Sequence, residues 1–274
     1  MSTPAFATAF ITGACSTLGR ALCTKLQAAG TDVWIADSDL EALQAVGRTL
    51  GVPAERIVAL DVTEADAFKR AVSRAAESGG IDLLINGARA ELAGEFSEFT
   101  SGEASRALSV EIAGALNGAM AVWPLMESKG KGAIVNITGA SGLVPVPLQA
   151  AQSAASQGLM GLTMALRMEG EQCGIDVMGA CMAVGGDPGA PGVRLKGWVD
   201  LVTFYKLKVL WLPEAMALDP EEAAEEVLRG LSLGRSMVVA PRALRWAWLA
   251  HRVSPLWWLS FTTRWLNRAR RRAG

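Results

Sequence analysis

Side chains that exchange protons near neutral pH are scarce in this sequence. Its 274 residues include one histidine, His251, and one tyrosine, Tyr205. The four cysteines are Cys15, Cys23, Cys173 and Cys181. They form no CxxC pair and no cluster with metal-ligand spacing, so we expect no metal site and no disulfide framework. Scattered thiols of this kind indicate a reducing compartment, and the expected location is the cytoplasm.

Long uninterrupted apolar runs are absent as well. The apolar stretch at 5–11 has no basic flank and leads into a glycine turn, which predicts a first strand rather than a signal peptide. A second apolar segment, 242–272, is interrupted by Arg245, Arg252 and Pro255. This segment is too broken to cross a membrane as one helix.

Acidic residues are missing from the last part of the chain. Residues 227–274 carry ten arginines and no aspartate or glutamate, whereas residues 1–226 carry 16 basic and 27 acidic side chains. The formal net charge of −1 therefore conceals a basic C-terminal segment and an acidic body. We expect the basic segment either to pack on the acidic body or to contact an anionic surface.

Short β-rich runs alternate with longer amphipathic segments through most of the chain. The predicted strands are 6–12, 32–36, 57–60, 83–86, 133–138, 175–181 and 236–239. The predicted helices include 18–29, 64–76, 105–126, 150–172 and 220–231. The last of these has Asp219 as its expected N-cap, followed by Pro220 in the first turn. This alternation predicts an α/β fold with a doubly wound, Rossmann-type parallel sheet.

No internal repeat or low-complexity linker divides the chain, so we predict one domain over residues 1–241. It includes an apolar, aromatic flap at about 186–219, which opens with a glycine- and proline-rich stretch. An extension rich in tryptophan and arginine follows at 242–274 and is expected to form two short amphipathic helices.

A glycine-rich turn, Thr12 to Gly19, directly follows the first predicted strand and opens a helix. A turn of this kind presents backbone N–H groups and a helix N-terminus to a pyrophosphate. Asp37 ends the second predicted strand, where its carboxylate can accept hydrogen bonds from a ribose diol. Asp61-Val62 follows the third predicted strand and Asn86 ends the fourth, where an adenosine would lie. Together these residues predict a dinucleotide site.

The order and spacing of these residues resemble the short-chain dehydrogenase/reductase family. Its TGxxxGxG, DV and NNAG motifs correspond to residues 12–19, 61–62 and 86–89, and the likeness covers about residues 5–240. The resemblance implies these cofactor-binding residues: Gly13, Ser16, Thr17, Leu18, Gly19, Asp37, Asp61, Val62, Asn86 and Ala88. This chain departs from the family motifs at Thr17, Gly87 and Arg89, where the family has glycine, asparagine and glycine.

The resemblance also implies the cofactor. In the family an acid at the position of Asp37 favours NAD over NADP because it repels a 2′-phosphate, and here Ser38 brings no positive charge beside it. We therefore expect the cofactor to be NAD. We expect it to be held weakly or through its adenosine half, because Thr17 replaces a glycine that lets backbone approach phosphate closely.

The family's catalytic Asn, Ser, Tyr and Lys correspond to Glu111, Gly139, Gln152 and Ser156. In the family the Tyr protonates the forming alkoxide, with its pKa lowered by the Lys, and the loss of such help costs about 10² to 10⁴ in rate. None of the four residues here can take that role. The loop 182–187 also departs from the family's nicotinamide-cradling stretch.

Several substitutes for the missing groups remain open. Tyr205 is a candidate displaced acid, or a packing residue of the flap. Glu111 either pairs with Arg89, since an unpaired buried carboxylate is costly, or serves as a new general base. His251 is interpreted as an interface residue.

Partners are indicated by the tail and by one helix. The segment 242–272 is expected to lie on a membrane surface or to pack against protein, and residues 150–172 to form a homo- or hetero-oligomer contact. Aromatic residues of the flap and tail indicate a hydrophobic small-molecule ligand. The arginine cluster is short and no recognition element accompanies it, so no nucleic acid partner is expected.

The sequence therefore predicts a nucleotide-binding pseudoenzyme of NAD(P)-dependent oxidoreductase ancestry, with redox chemistry lost and a binding, scaffold or regulatory role. The alternative is an active oxidoreductase, or a repurposed non-redox enzyme, that uses displaced residues on a bulky lipophilic substrate.

Overall fold

A parallel β-sheet of seven strands forms the centre of the structure, in the order β3-β2-β1-β4-β6-β7-β9. Its strands are β1 (Thr8–Thr12), β2 (Asp32–Asp37), β3 (Ile57–Ala59), β4 (Leu83–Asn86), β6 (Gly132–Thr138), β7 (Ile175–Met182) and β9 (Met237–Ala240). Two short strands, β5 (Glu91–Ala93) and β8 (Val193–Leu195), pair in parallel as a separate small sheet. This computed structural model describes residues 6–184, 193–197, 199 and 217–273.

Helices cover both faces of the large sheet. They are α1 (Thr17–Ala28), α2 (Leu40–Leu50), α3 (Ala65–Glu77), α4 (Ser101–Leu108), α5 (Gly114–Lys129), α6 (Ala150–Gly170), α7 (Pro220–Ser232), α8 (Arg242–Val253) and α9 (Pro255–Ala273). Residues of α1, α2 and α7 pack on one face, and residues of α3 and α5 pack on the other. The predicted doubly wound Rossmann-type fold is thus confirmed.

The central strands are apolar along almost their whole length because both of their faces are covered. All five residues of β1 and all four of β4 are buried, and β7 is buried except at Asp176. Their carboxyl ends meet at one edge of the sheet, where ligands bind in folds of this kind.

The predicted long helix at 105–126 is interrupted in the structure. A π-helical turn, Ser109–Ala113, separates α4 from α5 and contains the buried Glu111. The cap of α7 follows the prediction, since the Asp219 side chain accepts a hydrogen bond from the Glu221 N–H at 2.9 Å. Among the described residues, one helical stretch, Ser101–Lys129, is long and apolar enough to cross a membrane. It packs on the sheet through Val122 and Met126, as a core helix does.

The C-terminal extension forms the two predicted helices, α8 and α9, which are broken at Ser254. The predicted flap at 186–219 falls mostly outside the described residues, and so does Tyr205.

Candidate functional site

A cavity of about 470 Å³ opens at the carboxyl ends of the central strands. Nine of the ten cofactor-binding residues expected from the sequence line it: Gly13, Ser16, Thr17, Leu18, Gly19, Asp37, Asp61, Val62 and Ala88. The structure therefore brings together residues that are up to 75 positions apart in the chain around one space.

The glycine-rich turn is built on two positions where a side chain does not fit. Gly13 has φ +71°, and a Cβ there would lie 2.4 Å from the Gly87 carbonyl oxygen. A Cβ on Gly19 would lie 2.4 Å from the Gly13 carbonyl oxygen. Ser16 caps α1, because its hydroxyl accepts a hydrogen bond from the Gly19 N–H at 3.0 Å. The sequence folds tightly here because these two residues are glycine.

Thr17, which replaces the middle glycine of the motif, is the first residue of α1 and lines the cavity. The first N–H groups of a helix have no acceptor within it and carry partial positive charge. No acidic residue lies in the first turn of α1 to neutralise this end. The turn thus keeps the features that attract an anion despite the lost glycine.

Asp37 presents its carboxylate to the cavity at the end of β2. Its oxygens accept hydrogen bonds from the N–H groups of Cys15, at 3.1 Å, and Ser38, at 2.8 Å. Burial, followed by the nearby charge of Asp37, raises the pKa of the Cys15 thiol to about 12. Cys15 is therefore a protonated wall residue rather than a reactive thiol.

Asp61 is held by a cation that the sequence analysis missed. Arg106 Nη2 donates to Asp61 Oδ2 at 2.8 Å, and the Thr63 hydroxyl donates to Oδ1 at 2.7 Å. Partial burial acts to raise the pKa of Asp61, but the hydrogen bonds from Arg106 and Thr63 outweigh it and lower that pKa. No local pattern in the sequence links Arg106, in α4, to the end of β3.

Asn86 lies below the cavity and does not line it. Its amide nitrogen donates to Asn136 Oδ1 at 2.9 Å, and Asn136 in turn donates to the Thr163 hydroxyl at 2.9 Å. These bonds join β4, β6 and α6 in the buried interior. The structure gives Asn86 a supporting position beside the site, and its part in cofactor binding stays a prediction.

The four positions that correspond to the family's catalytic residues are close together. Glu111 is only 2% exposed, and its Oε1 accepts hydrogen bonds from the hydroxyls of Thr138 and Ser156, each at 2.7 Å. Its other oxygen accepts from Gln152 Nε2. Buried carboxylates need such donors, and this one has three. Thr138 belongs to this group although no sequence pattern links it to Glu111.

Gln152 lines the cavity, whereas Glu111 and Ser156 lie behind it. A carboxylate accepts hydrogen bonds only, so Glu111 fixes the Gln152 amide with its nitrogen toward the interior. Gln152 Oε1 has no hydrogen-bond partner in the part of the chain that the structure describes. The position of the family's tyrosine is therefore held by a buried amide that has no titratable proton to donate.

Arg89 fills the space beside Gly139. A Cβ on Gly139 would lie 3.1 Å from Arg89 Nη2 and 3.2 Å from Nη1. The guanidinium pairs with Glu91 at 3.4 Å, so the expected direct pair between Arg89 and Glu111 is wrong. Glu111 instead satisfies its oxygens with the three neutral donors. Burial acts to lower the pKa of Arg89, but the charges of Glu91 and then Glu111 outweigh it and raise that pKa.

A second cavity, of about 390 Å³, shares Leu92 and Gln149 with the first. Apolar side chains from the body and from α9 line much of it, among them Phe96, Phe99, Leu148 and Leu266. Within the described residues no group of three or more His, Cys, Asp or Glu is placed to hold a metal ion.

Comparisons with known proteins place this site in a family. The chain matches the short chain dehydrogenase family over residues 7–185. It is 30% identical over 223 residues to an acetoacetyl-CoA reductase from Rhizobium meliloti, a match that covers 80% of this chain and 88% of that protein.

Solved structures agree on the fold. A short-chain dehydrogenase from Streptomyces avermitilis superposes with a TM-score of 0.77 at 23% identity, covering 97% of this chain and 98% of that one. A short-chain dehydrogenase from Sphingobium yanoikuyae in complex with NADPH gives a TM-score of 0.71 at 25% identity, covering 91% and 94%.

The family match covers well over half of the chain and includes the glycine-rich turn, Asp37, Asp61 and the four substituted positions. The resemblance found in the sequence motifs is thereby confirmed at the level of the family. The chain belongs to the short-chain dehydrogenase family, whose members are NAD(P)-dependent oxidoreductases.

Proposed function

We propose that the protein binds a nicotinamide adenine dinucleotide in the 470 Å³ cavity, mainly through the adenosine half. The N-terminus of α1 would hold the pyrophosphate, Asp37 the ribose diol, and Asp61 and Val62 the adenine. The observation that carries this proposal is the convergence of these residues on one cavity around a glycine turn that tolerates no side chain at Gly13.

We further propose that the preferred dinucleotide is NAD. The Asp37 carboxylate lines the cavity, and its neighbour Ser38 is uncharged, so a 2′-phosphate would meet a like charge. The related protein from Sphingobium yanoikuyae is in complex with NADPH, so the two proteins would differ in their choice of cofactor. Calorimetric titration tests this preference: NAD should bind at least about tenfold more tightly than NADP.

The test of this preference for NAD replaces Asp37, and its control replaces Asp39, a second acidic residue two positions further along the chain. Asp37→Ser should bring the two affinities together, whereas Asp39→Asn should leave the preference intact, because Asp39 caps α2 and asparagine caps equally well. Tighter binding of NADP by the unchanged protein would refute the assignment.

Carbonyl reduction by a tyrosine acid is not part of the proposed function. The bound nicotinamide would supply the hydride, but Gln152 has no titratable proton, and Ser156 places no charge beside it. We propose a binding or regulatory role in which the dinucleotide is held without ordinary turnover. ADP and NAD should then bind with similar affinity, and nicotinamide absorbance should stay constant with alcohols and ketones.

A second candidate function is an active oxidoreductase on a lipophilic substrate. It is favoured by the relative named acetoacetyl-CoA reductase, which matches most of this chain. The apolar second cavity beside Leu92 would hold the lipophilic part of such a substrate. Steady-state turnover of any alcohol or ketone that Tyr205→Phe abolishes would establish this candidate and overturn the first.

Contact between subunits through residues 150–172 is retained as a proposal. Met168, on α6, is 71% exposed, which is unusual for a large apolar side chain unless a partner covers it. Met168→Glu should then lower the sedimentation coefficient of the protein in analytical ultracentrifugation, and an unchanged coefficient would contradict the proposal.

A further inference from the structure

The C-terminal helices α8 and α9 are fixed on the body of the protein through one side. Leu244, Trp258 and Thr262 are buried, and Trp258 Nε1 donates to the Pro145 carbonyl at 3.5 Å. Near the end of α9, Arg270 forms a two-point contact with the Glu95 carboxylate, at 2.7 and 2.5 Å. These contacts set which side of the helices faces away from the body.

The side of α8 that faces away from the body, together with the first turn of α9, is apolar and exposed. We define it as the outer face, formed by Trp246, Leu249, Val253, Leu256 and Trp257. The first three are spaced three and four residues apart, as on one side of a helix. Val253 is 85% exposed, Leu256 77% and Trp246 73%. Of the thirteen large hydrophobic residues exposed in the described part of the chain, seven lie within residues 246–261.

Exposed arginines follow along α8 and α9, and the same segment has no acidic residue. Arg242, Arg252, Arg264, Arg268 and Arg271 are exposed, and residues 227–274 contain no aspartate or glutamate. The Arg252 guanidinium lies 5.2 Å from the centre of the Trp248 ring. Exposed tryptophan and leucine beside arginine are typical of helices that lie at a membrane surface.

We propose that the outer face binds the surface of an anionic lipid bilayer, with α8 and α9 lying in the plane of the headgroups. Trp246 and Trp257 would enter the boundary between headgroups and acyl chains, and the exposed arginines of the two helices would contact lipid phosphates. Neither helix is apolar on all sides, and both remain attached to the body through Leu244 and Trp258, so they lie on the bilayer rather than cross it.

A second copy of the chain is a poorer occupant of the outer face. A two-fold contact through this surface would bring together two copies of a segment that carries ten arginines. No acidic residue of the segment is available to neutralise them. Like charges of this kind disfavour the contact, whereas a bilayer rich in anionic lipid provides the opposite charge.

Co-sedimentation of the full chain with vesicles tests the proposal. The protein should pellet with vesicles of phosphatidylcholine and phosphatidylglycerol, much less with phosphatidylcholine alone, and less at high salt. Replacing both tryptophans, Trp246→Ser with Trp257→Ser, should weaken binding about tenfold or more. Both side chains are more than half exposed, so the variant should fold, which its unfolding temperature would verify.

The matched control is a change of two exposed apolar residues elsewhere, Met120→Ser with Leu233→Ser, which should leave vesicle binding unchanged. Absence of binding to the anionic vesicles, or an equal loss in the control variant, would overturn the proposal. A wild-type dimer in ultracentrifugation that the double tryptophan variant converts to monomer would also overturn it, by showing that a second copy covers the face.

Discussion

Replacement of Glu111 measures how strongly Glu111, Thr138, Gln152 and Ser156 act as one buried hydrogen-bonded unit. In Glu111→Leu, Thr138, Ser156 and Gln152 each lose the carboxylate oxygen to which they donate. In Glu111→Gln, one oxygen remains for the two hydroxyls. The Gln152 amide must then turn over, because two N–H groups would otherwise face each other.

The expected loss follows from these contacts. A hydrogen bond to a charged group contributes about 1.5–3 kcal/mol, and three are removed in the leucine variant. Two effects oppose this sum: a buried carboxylate no longer has to be desolvated, and Ser156 keeps its contact with Ser141 at 3.0 Å. We expect Glu111→Leu to lower the free energy of unfolding by about 3–5 kcal/mol, and Glu111→Gln by about 1–2 kcal/mol.

Urea denaturation followed by circular dichroism gives both values. The dependence of the unfolding free energy on urea should be the same for wild type and variants, so that shifts in the midpoint report stability alone. A loss below about 1 kcal/mol for Glu111→Leu, or equal losses for the two variants, would refute the reasoning. Either result would mean that the Glu111 carboxylate is not the centre of the network.

Three further changes have defined outcomes. Gly13→Ala places a Cβ 2.4 Å from the Gly87 carbonyl oxygen at φ +71°, so thermal unfolding should show a loss above about 2 kcal/mol. Trp258→Ala removes a side chain that is 4% exposed and should cost roughly 3–5 kcal/mol in the same assay. The Lys196 hydrogen bond is the main cause that lowers the pKa of Glu103 to about 2 from 4.5. A carboxyl whose pKa is lower in the folded state stabilises the protein above its unfolded pKa, and this contribution is lost as the pH falls. The free energy of unfolding should therefore fall less between about pH 4.5 and 2 in Glu103→Gln than in the wild type.

The parts of the fold that sequence patterns predicted are those determined by neighbours along the chain. Strand β6 was expected at 133–138 and spans Gly132–Thr138, because its apolar run is buried on both faces. Asp219 caps α7 as expected, since an N-cap depends only on residues two or three positions away. Gly13 and Asp37 also reach the cavity as expected, because both stand at the ends of adjacent parallel strands.

The parts that sequence patterns missed depend on which distant segments pack together. The small sheet pairs Glu91 with Val193, about a hundred residues apart, and each of its strands has only three residues. The partner of Arg89 is Glu91. The expected pairing of Arg89 with Glu111 is wrong because side chains of β6 and α6 already donate three hydrogen bonds to the Glu111 carboxylate. Side-chain geometry across elements decides such choices, and periodicity carries no information about it.

The close approach of Arg89 to residue 139 makes the two positions dependent on each other. Arg89, in the NNAG-like turn, occupies the space that a serine side chain at position 139 would need. Glycine at position 139 leaves room for the guanidinium. The two orders of substitution toward the family's residues are therefore not equivalent. Gly139→Ser in the present background crowds the guanidinium, whereas shortening Arg89 first leaves an opening that a hydroxyl can fill. The way from this chain back toward the family's active site is therefore easier when position 89 changes before position 139.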